Sequence, residues 1–312
     1  MSIPLLVVVG PTASGKTSLA CALAQELGAE IVSADSQQCY RGLDAGTAKP
    51  TPEERSRAPH HLLDVADPEE QLDAARFVQL AEAAVADVAR RGKRVIVAGG
   101  TGLWIRALLR GLVDAPAASR EFRANLRQEM ERRGLPALHD RLAAVDPDAA
   151  RAIRPNDRVR IERALEVHAL SGRRLSDLQR EHAFAEERHP ARVVQLLPPR
   201  ELLRDRIARR THDLFESGAL ERETRWLLER CERIPGARKA LKIIGYGDMA
   251  EVLAGRASRA GAQEKIAART WQYAKRQRTW FAKEYGDPGA WPPDAARLCA
   301  EAAQWYDAAP RR

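Results

Sequence analysis

Residues 4–19 run Pro4-Leu5-Leu6-Val7-Val8-Val9-Gly10-Pro11-Thr12-Ala13-Ser14-Gly15-Lys16-Thr17-Ser18-Leu19. The apolar run Leu5 to Val9 has the length and β-branched content of a buried strand. It empties into Gly10-Pro11-Thr12-Ala13-Ser14-Gly15-Lys16-Thr17, which satisfies G-x-x-x-x-G-K-[ST] at every fixed position. An Ala/Leu-rich helical stretch, Ser18 to Leu27, follows directly. Strand, loop and helix in that order are the context in which the motif acts as a phosphate-binding loop. Its backbone N–H groups cradle phosphate oxygens at a helix N-terminus. Lys16 adds a point charge, and the Thr17 hydroxyl is placed to ligate Mg²⁺. The stretch implies a bound di- or triphosphate without saying which.

The 312 residues are enough for one large or two smaller domains with a real core. Hydrophobic residues make up 45% and charged residues 30%, which excludes a disordered chain. The formal net charge is +8. On a phosphate binder, a basic balance fits either a nucleic-acid partner or plain surface solubility. Cys21, Cys39, Cys231 and Cys299 are scattered without a C-x-x-C, which argues against a structural zinc or disulfide framework and for a reducing cytoplasm. Ile3 to Val9 is too short to span a bilayer and lacks the flanks of a signal peptide, so neither a membrane association nor a targeting segment is expected.

Outward from the loop, Glu30-Ile31-Val32-Ser33 reads as a second strand ending at Asp35. Residues just past strand ends line the ligand crevice of an open parallel sheet, so Asp35 should face the loop. The alternative role is to cap a following helix. Arg41 to Pro59, rich in Gly, Pro and Thr, reads as an extended loop. The adjacent His60 and His61 share no face and read as structural. Helical pattern starts near Asp67-Pro68 and closes at Arg90-Arg91-Gly92. Arg94 to Ala98 is a third strand, followed by the glycine-rich turn Gly99-Gly100-Thr101-Gly102 and a helix over 103–110. No carboxylate closes that strand, unlike an ordinary nucleotide hydrolase.

Residues 115–119 mark a composition shift, and 120–187 show only helical patterns. Within them Arg158, Arg160 and Arg163 fall within two turns, with Arg160 and Arg163 on one face; that face suits phosphates or plain solvent. Strand character returns at Val193 to Leu197. The helix after it sets Arg206 and Arg210 one turn apart, either as a clamp on transferring phosphates or as surface charge partnered by Glu201 and Asp205. In 262–285, Ile266, Tyr273, Trp280 and Phe281 can pack inward while Lys265, Arg269, Arg276 and Lys283 face out. An aromatic inner face is common in cores, but so dense a basic outer face suits a nucleic-acid backbone. A short amphipathic helix over 294–308 and a loose Pro310-Arg311-Arg312 tail end the chain. The expected fold is α/β: a P-loop NTPase-like parallel sheet flanked by helices, formed by 1–114 and 188–312, with an inserted all-helical module at 115–187.

Several ordered stretches resemble the bacterial tRNA dimethylallyltransferases (tRNA isopentenyltransferases). They are Ser33 to Pro50, Pro59 to Asp64, Gly99 to Leu103, Asn156 to Val167, Ile244-Gly245-Tyr246 and Ala274 to Gln277. The resemblance covers roughly residues 3 to 285. It implies transfer of a dimethylallyl group from dimethylallyl diphosphate to the exocyclic amine of the adenosine 3′-adjacent to the anticodon, in tRNAs reading codons that start with U. Asp35 matches the family's catalytic aspartate and Arg210 its diphosphate-contacting arginine. Lys16, Thr17 and Mg²⁺ would serve the leaving group, with Gly10 to Thr17 as its cradle. Thr101 and Arg123 match positions near the RNA. The tRNA-contacting stretches correspond here to Asp35, Ser36, Gln37 and Gln38; Val159, Arg160, Ile161, Glu162 and Arg163; Leu241, Lys242, Ile243, Ile244, Gly245 and Tyr246; and Lys275, Arg276, Gln277, Arg278 and Trp280. The insert would grip the anticodon stem-loop, the target base would flip into the core, and a cytoplasmic monomer is expected. Trp104, where the family usually has tyrosine, and Gly247-Asp248 depart from the pattern, and both are expected at the rim of the site. The alternatives are a P-loop small-molecule or nucleotide kinase, a prenyltransferase acting on free adenine nucleotides, and a non-enzymatic RNA-binding protein.

Overall fold

The computed structural model describes residues 2–286 and 291–309, so the Pro310-Arg311-Arg312 tail lies outside the described residues. The chain divides into two compact units, Met1–Leu109 with Glu187–Arg312, and Arg110–Glu186. In the first, β1 (Leu5–Val9), β2 (Ala29–Ser33), β3 (His60–His61), β4 (Arg94–Gly99) and β5 (Ala191–Gln195) form one sheet in the order β3-β2-β4-β1-β5. Every pairing is parallel. All five β1 residues are buried, as a central strand covered on both faces requires. The parallel sheet flanked by helices is the one expected from the sequence.

Helix α1 (Lys16–Leu27) leaves the loop after β1, and its Leu19, Leu23 and Leu27 pack into the sheet core. Not every element was legible. Pro52–Arg57 is a short helix, α2, where an extended loop was expected. Thr51 and Glu54 form a capping box with Pro52 in the first turn, so three polar or rigid residues that resemble a loop in composition start a helix by position. Helix α3 (Ala74–Arg90) begins later than Asp67-Pro68, where Asp73 caps it by accepting from the Arg76 N–H. Helix α4 (Gly102–Arg110) follows β4 directly.

The second unit packs α5 (Arg120–Val145), α6 (Pro147–Ala152), α7 (Arg158–Ser171) and α8 (Leu175–His182) around Leu126, Leu138, Leu142, Ile161 and Leu165. α5 is two helices broken at Gly134 (φ 78°), with Pro136 starting the second half where its missing N–H costs nothing. Fully buried Asp146 caps α6 through the Ala149 N–H (3.0 Å) and takes the Ser176 N–H (3.0 Å) at the start of α8.

Back in the first unit, β5 leads to α9 (Arg200–Glu216), α10 (Ala219–Arg233), a 3-10 turn over Pro235–Lys242, α11 (Tyr246–Leu253), α12 (Arg259–Tyr285) and α13 (Ala295–Ala308). The Tyr306 hydroxyl of α13 accepts from the Leu6 N–H (3.1 Å) and donates to the Val95 carbonyl (2.5 Å), pinning that helix across β1 and β4. All four cysteines are free. No helix among the described residues is long and apolar enough to cross a membrane.

Buried Glu30 of β2 takes both a two-pronged contact from Arg91 and the His61 Nε2 (2.7 Å). The Arg91 hydrogen bonds hold its carboxyl at about 2 against an ordinary 4.5, outweighing the upward push of burial. Because the folded-state value is depressed, the associated stability is present above the ordinary glutamate range and is lost as pH falls towards about 2. Glu30→Gln should therefore lower the melting temperature at pH 7 and flatten its decline between pH 5 and 3. An unchanged acid limb would contradict the assignment.

Candidate active site

The ends of β1, β2 and β4 meet at one edge of the sheet. Past β1, Ala13 (φ 63°) and Gly15 (φ 91°) take left-handed conformations, which curl the peptide N–H groups into a concave nest before α1. Ser14 is buried, and its hydroxyl meets no hydrogen-bond partner among the described residues. Lys16 is 9% exposed. Burial pushes its pKa below the ordinary 10.5, Asp35 pulls it up, and Arg210 pushes it down again. An unsatisfied hydroxyl and a desolvated ammonium at a helix N-terminus are the donor set of an anion site.

Two arginines of α9 reach the same loop. Arg206 Nη1 donates to the Ser14 carbonyl (3.1 Å) and Arg210 Nη1 to the Thr12 hydroxyl (3.0 Å). The pair therefore belongs to the phosphate loop and not to Glu201 and Asp205. Burial lowers the Arg210 pKa, and Asp35 opposes that shift.

Asp35 follows β2 without capping a helix. Its Oδ1 accepts the Gln37 N–H (3.0 Å). The neighbouring backbone is locked to the turn after β4: Ala34 N–H to Ala98 O (2.8 Å), Thr101 N–H to Ala34 O (3.2 Å), and Ser36 N–H to Thr101 Oγ1 (2.9 Å). A Cβ on Gly100 would lie 2.3 Å from the Gln277 amide nitrogen, so the turn needs glycine there.

A cavity of about 510 Å³ opens beside these turns. Thr12, Asp35 and Arg210 line it together with Gln37, Lys242 and Arg276. Ile207, Leu214, Ile243, Ile244 and Ile266 give it an apolar wall. Tyr273, expected only as core packing, also lines it beside Asp35 and Thr101; burial and the Asp35 charge push its phenol up. Arg269, read from the sequence as an outward-facing cation of its helix, and Thr47, within the Ser33 to Pro50 stretch, line it too.

Four side chains expected at a nucleic-acid surface are buried instead. Gln38 donates to the Ala48 carbonyl (2.7 Å) and accepts from Ser33 (3.3 Å). Gln277 accepts the Thr12 N–H (2.9 Å) and donates to the Gly100 carbonyl (2.9 Å), bracing the two turns. Tyr246 is 0% exposed and donates to Glu223 (2.6 Å). Ile161 is 0% exposed in the core of the second unit. Gly245 and Leu241 sit on that same α10–α11 packing, whereas Lys242 is exposed.

On α12, Lys275 and Arg276 are exposed, and among the described residues no carboxylate pairs with either. Arg278 donates to the Pro198 carbonyl (2.6 Å), and the Trp280 ring lies against Gly102. In the second unit Val159 and Arg160 are exposed. Arg123 and Arg163 instead converge on fully buried Glu166, Arg123 through two bonds of 2.8 Å and Arg163 through one of 2.8 Å. Glu162 accepts from Arg158 (2.5 Å). Neither departure expected at the rim lies there. Trp104 is 4% exposed and stacked on Phe77 (4.5 Å between centroids), and Asp248, also 4% exposed, pairs with Lys265 (3.1 Å) and Arg269 (2.6 Å).

Among the described residues no group of three or more His, Cys, Asp or Glu could hold a metal ion. Mg²⁺ still fits, because it needs one or two protein oxygens when phosphate and water supply the rest, and Thr17 lies in the first turn of the helix at the phosphate nest.

The sequence pattern of the IPP transferase family matches residues 38–284. A tRNA dimethylallyltransferase of Anaeromyxobacter dehalogenans is 54% identical over 289 residues, covering 93% of this chain and 95% of its own. Among solved structures, a tRNA delta(2)-isopentenylpyrophosphate transferase from Staphylococcus epidermidis is 33% identical with a TM-score of 0.67, covering 98% of this chain and 99% of its own. A eukaryotic dimethylallyltransferase acting on tRNA is 27% identical with a TM-score of 0.81; the match covers 98% of this chain and 80% of that one.

Since burial makes Lys16 harder to charge when folded than at its ordinary 10.5, the unfolded chain holds more protons in that alkaline window. Below it Lys16 therefore opposes folding. Lys16→Ala should leave the melting temperature at pH 7 unchanged or raised, while calorimetry with inorganic pyrophosphate shows binding lost. Pyrophosphate affinity equal to that of the parent would overturn this role.

Proposed function

The chain belongs to the IPP transferase family, and from that premise we propose that it transfers a dimethylallyl group from dimethylallyl diphosphate to a tRNA adenosine. The acceptor is the exocyclic amine of the adenosine 3′-adjacent to the anticodon, in tRNAs reading codons that start with U. The observation that carries this reading is the composition of one cavity. It joins a phosphate-binding end at Thr12 and Arg210, an isoleucine-rich wall that suits a short isoprenoid, and the carboxylate of Asp35.

In the reaction the amine nitrogen bonds to C1 of the dimethylallyl group as the C1–oxygen bond breaks, and diphosphate leaves. Asp35 accepts a proton from the nitrogen as it attacks. Lys16 and Arg210 offset the charge that grows on the leaving oxygen. The Thr17 hydroxyl would hold Mg²⁺, whose charge would further neutralise the phosphates. Diphosphate departs without hydrolysis, so no carboxylate is required after β4, where the chain reads Ala98-Gly99-Gly100.

The target base must leave its stack to reach Asp35. Lys275 and Arg276 are the exposed cations of α12 suited to tRNA phosphates, and the helical unit 110–186 would grip the anticodon stem-loop through its exposed Val159 and Arg160. The protein would act as a cytoplasmic monomer.

The deciding experiment follows labelled dimethylallyl diphosphate into unmodified tRNA with Mg²⁺, with AMP as a parallel acceptor. Label in tRNA beside the anticodon is expected; label in AMP alone would replace the proposal with free-nucleotide chemistry. Asp35→Ala should abolish transfer and keep tRNA binding. Arg276→Ala should weaken tRNA binding uniformly and reduce its salt slope by about 1, with donor affinity unchanged.

A further inference from the structure

Glu223 of α10 receives four donors. Its Oε1 accepts the backbone N–H groups of Asp44 (3.1 Å) and Ala45 (2.7 Å). Its Oε2 accepts the Gly46 N–H (3.1 Å) and the Tyr246 hydroxyl (2.6 Å). Three successive peptide N–H groups turned onto one anion make the kind of nest that loops offer to phosphate. Here a side chain from nearly 180 residues away fills it.

The same loop is held from its other side. Lys49, with its side chain 1% exposed, donates to the Tyr40 carbonyl and to the Asp44 and Asp64 carboxylates, each at 2.5 Å. The Thr47 hydroxyl closes the turn onto the Leu43 carbonyl (2.5 Å). Gly46 lies flat on Tyr246, where an added Cβ would be 2.5 Å from the phenol oxygen. With one face fixed in this way, the loop presents Gly46 and Thr47 to the cavity, next to Thr12, Asp35 and Arg210. The Gly46 carbonyl accepts Arg210 Nη2 at 3.5 Å, in addition to the bond from Arg210 to Thr12.

We propose that Glu223 is a positioning residue for the donor end of the active site. Through the three N–H groups it fixes the Gly46–Thr47 wall, and through the Gly46 carbonyl it helps to aim Arg210 at the diphosphate. The inference rests on the donor assignment made above.

A carboxylate is needed because both oxygens accept. In Glu223→Gln one oxygen becomes an NH₂ donor: facing Asp44 and Ala45 it loses both of their bonds, and facing Gly46 and Tyr246 it loses the Gly46 bond while the phenol can turn to accept. Glu223→Asp keeps the charge but shortens the reach by one methylene.

The test is steady-state kinetics of both variants, with dimethylallyl diphosphate and tRNA varied separately, and a melting curve for each. For Glu223→Gln the donor KM should rise about tenfold, as expected from losing hydrogen bonds to a charged group, with the tRNA KM within about twofold of the parent. Glu223→Asp should recover part of the donor KM and all of the tRNA KM. An unchanged donor KM in either folded variant, or equal rises in both KM values alongside a lower melting temperature, would overturn the proposal and leave Glu223 a stability role only. Absence of transfer by the parent protein would instead refute the donor assignment itself.

Discussion

Gln277 makes two hydrogen bonds on which the catalytic edge of the sheet depends. Its carbonyl takes the Thr12 N–H of the phosphate loop and its amide reaches the Gly100 carbonyl after β4. One buried side chain of α12 thereby sets the spacing between the loop after β1 and the turn after β4. The second turn is in turn bound to the end of β2, so tightly that a Cβ on Gly99 would come within 2.1 Å of the Ala34 carbonyl. Asp35 is placed by this backbone contact. Among the described residues its one hydrogen bond comes from the N–H of Gln37, two positions on. Among the described residues no cation is clamped on this carboxylate, so one of its oxygens is left without a hydrogen-bond partner.

The charges at this edge are arranged at a cost to folding. Lys16, Arg206 and Arg210 crowd one loop, and Asp35 is the carboxylate acting on both Lys16 and Arg210. Burial disfavours the charged forms of Lys16 and Arg210. Sites that hold an anion store this kind of imbalance, because the ligand supplies the missing charge and hydrogen-bond acceptors. The orphaned Ser14 hydroxyl belongs to the same account.

The sheet and its crevice were legible because both follow from local pattern. Leu5 to Val9, Ile31 to Ser33 and Arg94 to Ala98 are short apolar runs bounded by turn residues, and the chemistry sits where they end. What was not legible depends on contacts across the fold. Tyr273 reads as inward packing and Tyr246 as an RNA contact, yet the first lines the cavity and the second is sealed beneath Glu223. Glu223 itself lies in an ordinary charged helix, and nothing in its neighbourhood announces the loop that it holds. Thr51 to Glu54 was local but ambiguous, since a capping box is built from the residues that populate loops. Trp104 and Asp248, expected at the rim as departures from the family pattern, are both buried by packing.

Net charge is the weakest guide of all in this chain. Most of the arginines that drew attention in the insert are spoken for, Arg123 and Arg163 by Glu166 and Arg158 by Glu162, while Arg160 stays exposed with only a loose 3.4 Å contact to Asp157. The first pair neutralises a carboxylate with no exposure to solvent, and removing either partner would leave a charge without its counterpart. Arg278 is bound to a backbone carbonyl, and Lys265 and Arg269 share Asp248. A formal +8 is therefore spread over many internal pairs, and the cations left over decide where a polyanion can dock. Lys275 and Arg276 are such cations, and Arg276 lies on the cavity that also holds Asp35. A nucleic acid drawn to that point of α12 would arrive beside the Asp35 carboxylate, so the positions of a few charges without a carboxylate partner carry more information than their number.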